Sequence, residues 1–139
     1  MIKKPAFILL SALALAAATV YAQGKTTNDG IGTDAQVKRG GDTYSMQCAA
    51  CHDAQLAGSG TAPALAGTDF MANWKDENVG SLFERIRATM PADNPGSLKR
   101  DQVSDLIAFI LNFNKFPLAQ ADLPTETESL KAIKIVAPR

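Results

Sequence analysis

The chain has 139 residues, 46% of them hydrophobic and 20% charged, with 14 basic residues balancing 14 acidic ones. That is enough for one modest core and too little for several, and no basic stretch interleaved with aromatics is present to bind nucleic acid. The signatures G-x-G-x-x-G, G-x-x-x-x-G-K-[ST], G-x-S-x-G and H-E-x-x-H are absent as well, which removes the commonest nucleotide-binding and hydrolytic readings.

The first segment, MIKKPAFILLSALALAAATVYAQ, sets Lys3 and Lys4 ahead of an apolar run from Ala6 to about Ala18 and closes on Val20-Tyr21-Ala22. Two small residues flanking one position make a signal-peptidase site, so residues 1–22 read as a cleaved export signal leading to the periplasm. The apolar run is shorter than the ~20 residues of a membrane span, so no stable membrane insertion is expected after cleavage. Loss of Lys3 and Lys4 leaves a formal charge of minus two. Residues 23–35 read as a flexible N-terminal segment.

In QVKRGGDTYSMQC, Val37, Gly41, Tyr44 and Cys48 recur at steps of four, three and four, one face of a helix. Gly40 and Gly41 stand side by side inside it, each costing about 1 kcal/mol relative to alanine, so close packing is expected against at least one.

The helix runs into SMQCAACHDAQ, which holds both cysteines of the chain, Cys48 and Cys51, and its one histidine, His52. Two exported thiols can form a structural disulfide or a redox pair, but neither uses the imidazole. Zinc would need a fourth ligand that no other Cys or His supplies. C-x-x-C-H is the spacing of covalent haem attachment: two thiols three positions apart reach the two vinyl groups of one porphyrin, and the next residue brings its imidazole to the iron. One haem c, bound through Cys48 and Cys51, is the expected cofactor.

Beyond the motif, TAPAL places Pro63 in a loop, and Thr68 or Asp69 can cap a short helix carrying Phe70 and Trp74. A second helix carries Leu82, Phe83 and Ile86 and stops at Pro91. A bound porphyrin would add apolar area to a core with only 6% aromatic residues. Of the methionines left after signal cleavage, Met46 lies on the helix entering the motif, too near to cross to the other haem face. Met71 falls on the Phe70–Trp74 helical face. Met90 follows a helix and directly precedes Pro91, in a loop where rigid backbone can hold a thioether. Ser97 can cap a last helix over LKRDQVSDLIAFILNFN, with Val103, Leu106, Ile107 and Ile110 as its apolar stripe. In the tail, TETESLKAIKI can form a short helix capped by Thr125 or Thr127, or Ile133 and Ile135 can lie as an extended strip.

Taken together, QVKRGGDTYSMQCAACH, TMPADNPGSL and SDLIAFIL resemble the class I c-type cytochromes over most of the mature chain. The resemblance implies an all-α cytochrome c fold over residues 36–116, in which short helices surround one covalent haem. The terminal helices would cross at Gly40, where Tyr44 and Phe109 approach. Residues 117–139 would be an extension packed on the domain or trailing from it. The resemblance also implies His52 and Met90 as axial iron ligands, the Pro63 carbonyl as acceptor for the free ring N–H of His52, and the Trp74 indole as donor to a haem propionate. A plain core role is the alternative for Trp74.

With both axial positions filled, the iron has no open site, so the implied function is one-electron transfer by a carrier and not an enzyme. A five-coordinate haem enzyme or gas sensor is the alternative if Met90 does not bind. The tail, with DNPGSL and AFILNFNKFP, is similar to cytochrome domains that accompany pyrroloquinoline quinone dehydrogenases. This implies a periplasmic dehydrogenase as electron donor and an oxidase or another cytochrome as acceptor.

Overall fold

The computed structural model describes residues 24–139; the export signal expected over 1–22 lies outside the described residues. Six helices follow in order: α1 Asp34–Gln47, α2 Ala49–His52, α3 Gly67–Trp74, α4 Val79–Thr89, α5 Arg100–Phe113 and α6 Thr127–Lys131. Two short strands, β1 Lys25–Thr26 and β2 Ile133–Lys134, pair in parallel with Lys25 opposite Ile133. The fold is all-α apart from this pair, as the sequence implies. No helix of the described residues is long and apolar enough to cross a membrane.

The helix starts follow local chemistry. The Thr33 hydroxyl accepts from the Gln36 N–H at 3.1 Å, and the Asn78 side chain accepts from the Ser81 N–H at 2.8 Å, each satisfying a donor that the first turn leaves unpaired. Three starts differ from expectation, and in one of them, α6, Glu126 and neither Thr125 nor Thr127 stands at the cap position, with no side-chain bond to the first turn. Helix α3 begins at Gly67, whose N–H donates to the Asn114 side chain at 2.9 Å, so Thr68 and Asp69 fall inside its first turn. Helix α5 begins at Arg100: the Ser97 N–H is spent on a turn to the Asn94 carbonyl at 3.3 Å, and Gln102 accepts from the Lys99 N–H at 3.0 Å.

Helices α1 and α5 cross at Gly40. A Cβ there would overlap the Asp105 carbonyl and stand 2.8 Å from the Phe109 Cβ, whereas one on Gly41 would meet only the Phe109 ring at 3.3 Å. The missing side chain lets Tyr44 and Phe109 stack with ring centroids 5.2 Å apart. Beneath this crossing Leu106, Ile107 and Leu111 are fully or almost fully buried with Phe70, Phe83, Ile31 and Phe116, each large side chain contributing roughly 1.5–3 kcal/mol of transfer free energy.

Two segments are more structured than their composition suggests. The flexible stretch expected at 23–35 is, from Lys25 onward, pinned. Thr27 and Ile31 are fully buried, the Ile31 N–H donates to the Pro117 carbonyl at 3.0 Å, and the Ala119 N–H donates to the Gly32 carbonyl at 2.7 Å. The extension after Pro117 is packed, with Leu123, Leu130, Ile133 and Ile135 all buried. It uses both conformations open to it, a helix at α6 and an extended strip at β2.

Candidate haem site

The last turn of α1 delivers the chain into the motif: the Cys48 N–H donates to the Tyr44 carbonyl at 2.9 Å. Helix α2 is a single turn closed on the Cys48 carbonyl, which accepts from Cys51 N at 3.1 Å and His52 N at 2.9 Å. At this i, i+3 spacing the two thiols fall on neighbouring parts of one helical face. Both are unlinked, Cys48 half-buried and Cys51 exposed. Burial, and next the neighbouring Cys51, push the Cys48 thiol up to about 11. It is therefore protonated at neutral pH, the opposite of the lowered thiol that makes a C-x-x-C pair a redox catalyst.

His52 is buried, and its Nδ1 lies 2.9 Å from the Pro63 carbonyl oxygen. A carbonyl can only accept, so Nδ1 carries a proton, which in the neutral ring is the tautomer a metal-binding imidazole needs, with Nε2 as the ligating atom. The sequence's His52 and Pro63 are thus brought together.

The loop that carries Pro63 back to His52 is tightly made. The Gly58 N–H donates to the His52 carbonyl at 3.0 Å, the Leu65 N–H to the Leu56 carbonyl at 2.8 Å, and Ser59 and Ala62 pair as an antiparallel bridge. Gly58 has φ +76°, and a Cβ on it would stand 2.7 Å from both the Ala62 oxygen and the Ala64 nitrogen. Only glycine lets the Pro63 segment lie so close. Sequence reasoning missed Gly58, although G-S-G is a turn signal, and it missed Asp53. The carbonyl of Asp53, at φ 68°, accepts from the Tyr44 hydroxyl at 2.6 Å.

Met90 closes α4 as its C-terminal cap, with its N–H on the Ile86 carbonyl at 2.9 Å and its backbone turned to the extended region. Its side chain is half-buried, and a cis peptide bond joins it to the buried Pro91. The other methionines sit differently. Met46 is 73% exposed on the outer face of α1. Met71 packs on the core and lines an open apolar groove of 630 Å³ with Leu56 and Phe113. Trp74 is half-buried against the core at the end of α3.

These residues suit a haem by their own chemistry. Two unlinked thiols one turn apart precede an imidazole with one nitrogen engaged and one available. Leu65, Met71, Trp74 and Ile86 pack against the core yet keep part of their apolar surface uncovered.

A family model described as "Cytochrome C oxidase, cbb3-type, subunit III" matches residues 35–110, a span that takes in the motif, Pro63, Trp74, Met90 and most of α5. Among solved structures, a chain in the crystal structure of the sulfane dehydrogenase SoxCD from Paracoccus pantotrophus superposes with a TM-score of 0.51 at 21% identity. The match covers 81% of this chain and 61% of that one, so this chain spans about three fifths of its neighbour's length and the likeness is one of fold. No curated protein matches.

Proposed function

The chain belongs to the c-type cytochromes, haem-based electron carriers, and from that premise we propose that it carries one electron at a time in the periplasm, with His52 and Met90 as the residues that would hold the haem iron. Bound haem c supplies an iron that changes charge by one electron without making or breaking a bond to substrate. Cys48 and Cys51 tether the group so that it is not lost to solvent or partner. Pro63 would hold the His52 ring in one tautomer and one orientation and raise the basicity of Nε2 toward the iron. Met90 would offer the iron a thioether, which favours the reduced state and, together with His52, would leave no site for oxygen or peroxide. Trp74 would donate its indole N–H to a propionate.

The observation that carries this reading is the 2.9 Å contact between His52 Nδ1 and the Pro63 carbonyl, directly after two unlinked thiols. A disulfide module has no use for an oriented imidazole. The test is a reduced-minus-oxidised visible spectrum combined with the intact mass of the mature protein. One haem of added mass, retained in acid-acetone, together with a reduced form inert to carbon monoxide, is the expected result. Rapid carbon monoxide binding would instead support the five-coordinate enzyme or sensor.

A quinoprotein dehydrogenase is the proposed donor and an oxidase or second cytochrome the proposed acceptor. The structural neighbour is part of a sulfane dehydrogenase, which fits the general picture of a cytochrome domain serving a dehydrogenase.

A further inference from the structure

Among its contacts with several elements, the C-terminal extension holds the helix that ends in Met90. The Thr127 hydroxyl donates to Glu84 Oε1 at 2.5 Å and accepts from Arg100 Nη2 at 3.0 Å. The same Arg100 nitrogen donates to the Thr125 carbonyl at 2.6 Å, and the guanidinium lies 4.8 Å over the Phe83 ring. One turn earlier in α4, Gly80 faces α6 so closely that a Cβ would stand 2.8 Å from the Lys131 nitrogen and 3.0 Å from the Thr127 oxygen. The loop entering α4 is held as well: the Ile135 N–H donates to the Glu77 carbonyl at 2.8 Å, and the Asp76 N–H donates to the Ile135 carbonyl at 2.9 Å. At the other end of α4 the bonds are its own, from Thr89 Oγ1 to the Arg85 carbonyl and from the Met90 N–H to the Ile86 carbonyl.

We propose that the extension is a positioning element for the sixth ligand: Thr127, bonded to Glu84, and Lys131, packed against Gly80, grip α4 and thereby set where Met90 stands, while Arg100 of α5 holds Thr125 and Thr127 in place. This rests on the axial reading of Met90 given above. The helix acts as a lever. From Gly80 to Met90 is about 15 Å at the helical rise, so a tilt of about 5° at the grip moves Met90 by about 1.3 Å. A metal-binding constellation tolerates only about 0.5 Å. Release of the grip therefore costs ligation before it costs the fold, because α4 also keeps Val79, Leu82 and Phe83 buried in the core.

The experiment titrates the oxidised holoprotein with imidazole, a small ligand that takes the iron position only when Met90 leaves it. Thr127→Val keeps the side-chain shape and deletes the hydroxyl; Gly80→Ala forces α6 away from α4. Imidazole affinity should rise about threefold in the first and about tenfold in the second, with a parallel weakening of the thioether-to-iron absorption band, since ligation geometry and not bulk stability is perturbed. Leu118→Ser, on the exposed part of the extension, should behave as the unaltered protein. If Gly80→Ala does not accumulate, Thr127→Val decides alone. Variants that melt earlier but bind imidazole as the parent does would overturn the proposal and leave the extension a structural brace only. If Met90→Ala also bound imidazole no better than the parent, the axial reading itself would fall, and this inference with it.

Discussion

Tyr44 donates its hydroxyl proton to the carbonyl of Asp53 across 2.6 Å, so one phenol joins the last turn of α1 to the residue immediately after His52. The haem-attachment turn is thereby closed from both sides: its start is fixed by the α1 backbone and its exit by a side chain planted four residues before Cys48.

Tyr44→Phe removes that bond and leaves the Asp53 carbonyl with the Leu56 N–H at 3.0 Å as its remaining donor, a loss of about 1 kcal/mol and a few degrees in Tm by calorimetry. The pH dependence has a defined sign. Burial pushes the Tyr44 phenol from 10.0 up to about 12. Between those values the folded chain keeps a proton that the unfolded chain has released, so stability is full below pH 10 and falls as pH rises toward 12. Denaturant midpoints at pH 8 and pH 11 should drop more in the parent than in Tyr44→Phe; equal drops would show that the phenol is not the group responsible.

Met90→Ala should leave a coloured, folded protein whose midpoint potential is lower by roughly 0.1–0.2 V, well inside the ~0.8 V that axial ligands command. Met46→Ala and Met71→Ala should leave it nearly unchanged, because one side chain faces water and the other packs. Potentiometric titration of the three variants checks the assignment, and an unmoved potential in Met90→Ala would refute it.

The paired glycines of α1 should part company on substitution. Gly40→Ala drives a methyl into the Asp105 carbonyl, a backbone atom that cannot step aside, and should cost about 3 kcal/mol or more. Gly41→Ala meets only an aromatic ring edge at 3.3 Å and gains up to about 1 kcal/mol of helix propensity, so it should lie near neutral. Chemical denaturation of both holoproteins gives the comparison.

Around the attachment site, Ala50 and Cys51 are exposed, as are Ala92 and Pro95 of the loop after Met90, and the nearby charges in sequence are Asp53 and Asp93. A redox partner that docks on so apolar a face meets weak steering, so its electron-transfer rate should fall only modestly with salt. Ala50→Lys and Ala92→Lys should each slow reduction by a dehydrogenase in stopped-flow mixing. A steep salt dependence, or indifference to both lysines, would place the entry point elsewhere.

The candidate site was legible because its parts are linear. Cys48, Cys51 and His52 are contiguous, and their chemistry follows from spacing alone. Pro63 entered through resemblance, since nothing in TAPAL states which side chain its carbonyl will meet. The face of α1 was read one residue off: Val37 and Gly41 are half-buried, while Gln36, Gly40 and Thr43 point inward with Tyr44. A glutamine does not look like a core residue. Gln36 is one because the Leu123 N–H donates to its Oε1 at 2.7 Å and its Nε2 reaches the Leu123 carbonyl and Ser104 at 3.3 Å, partners far along the chain. The same remoteness hid the order in residues 25–31. Lys-Thr-Thr-Asn-Asp has no apolar pattern of its own and gains structure only from what it touches.

The parallel pairing of Lys25 with Ile133 also dictates an order of events during synthesis. The first strand emerges early and has nothing to pair with until nearly all of the described chain has followed it. Helix crossings between α1 and α5 can form before then, but this closure comes last, since contacts that span the most sequence carry the largest loop-closure cost. A chain that stops short of Ile133 therefore leaves two loose ends instead of one: the strip that would have formed β2 is missing, and Lys25 to Thr27 lose their partners, so that the ordered chain begins only near Ile31, which the Pro117 carbonyl still holds.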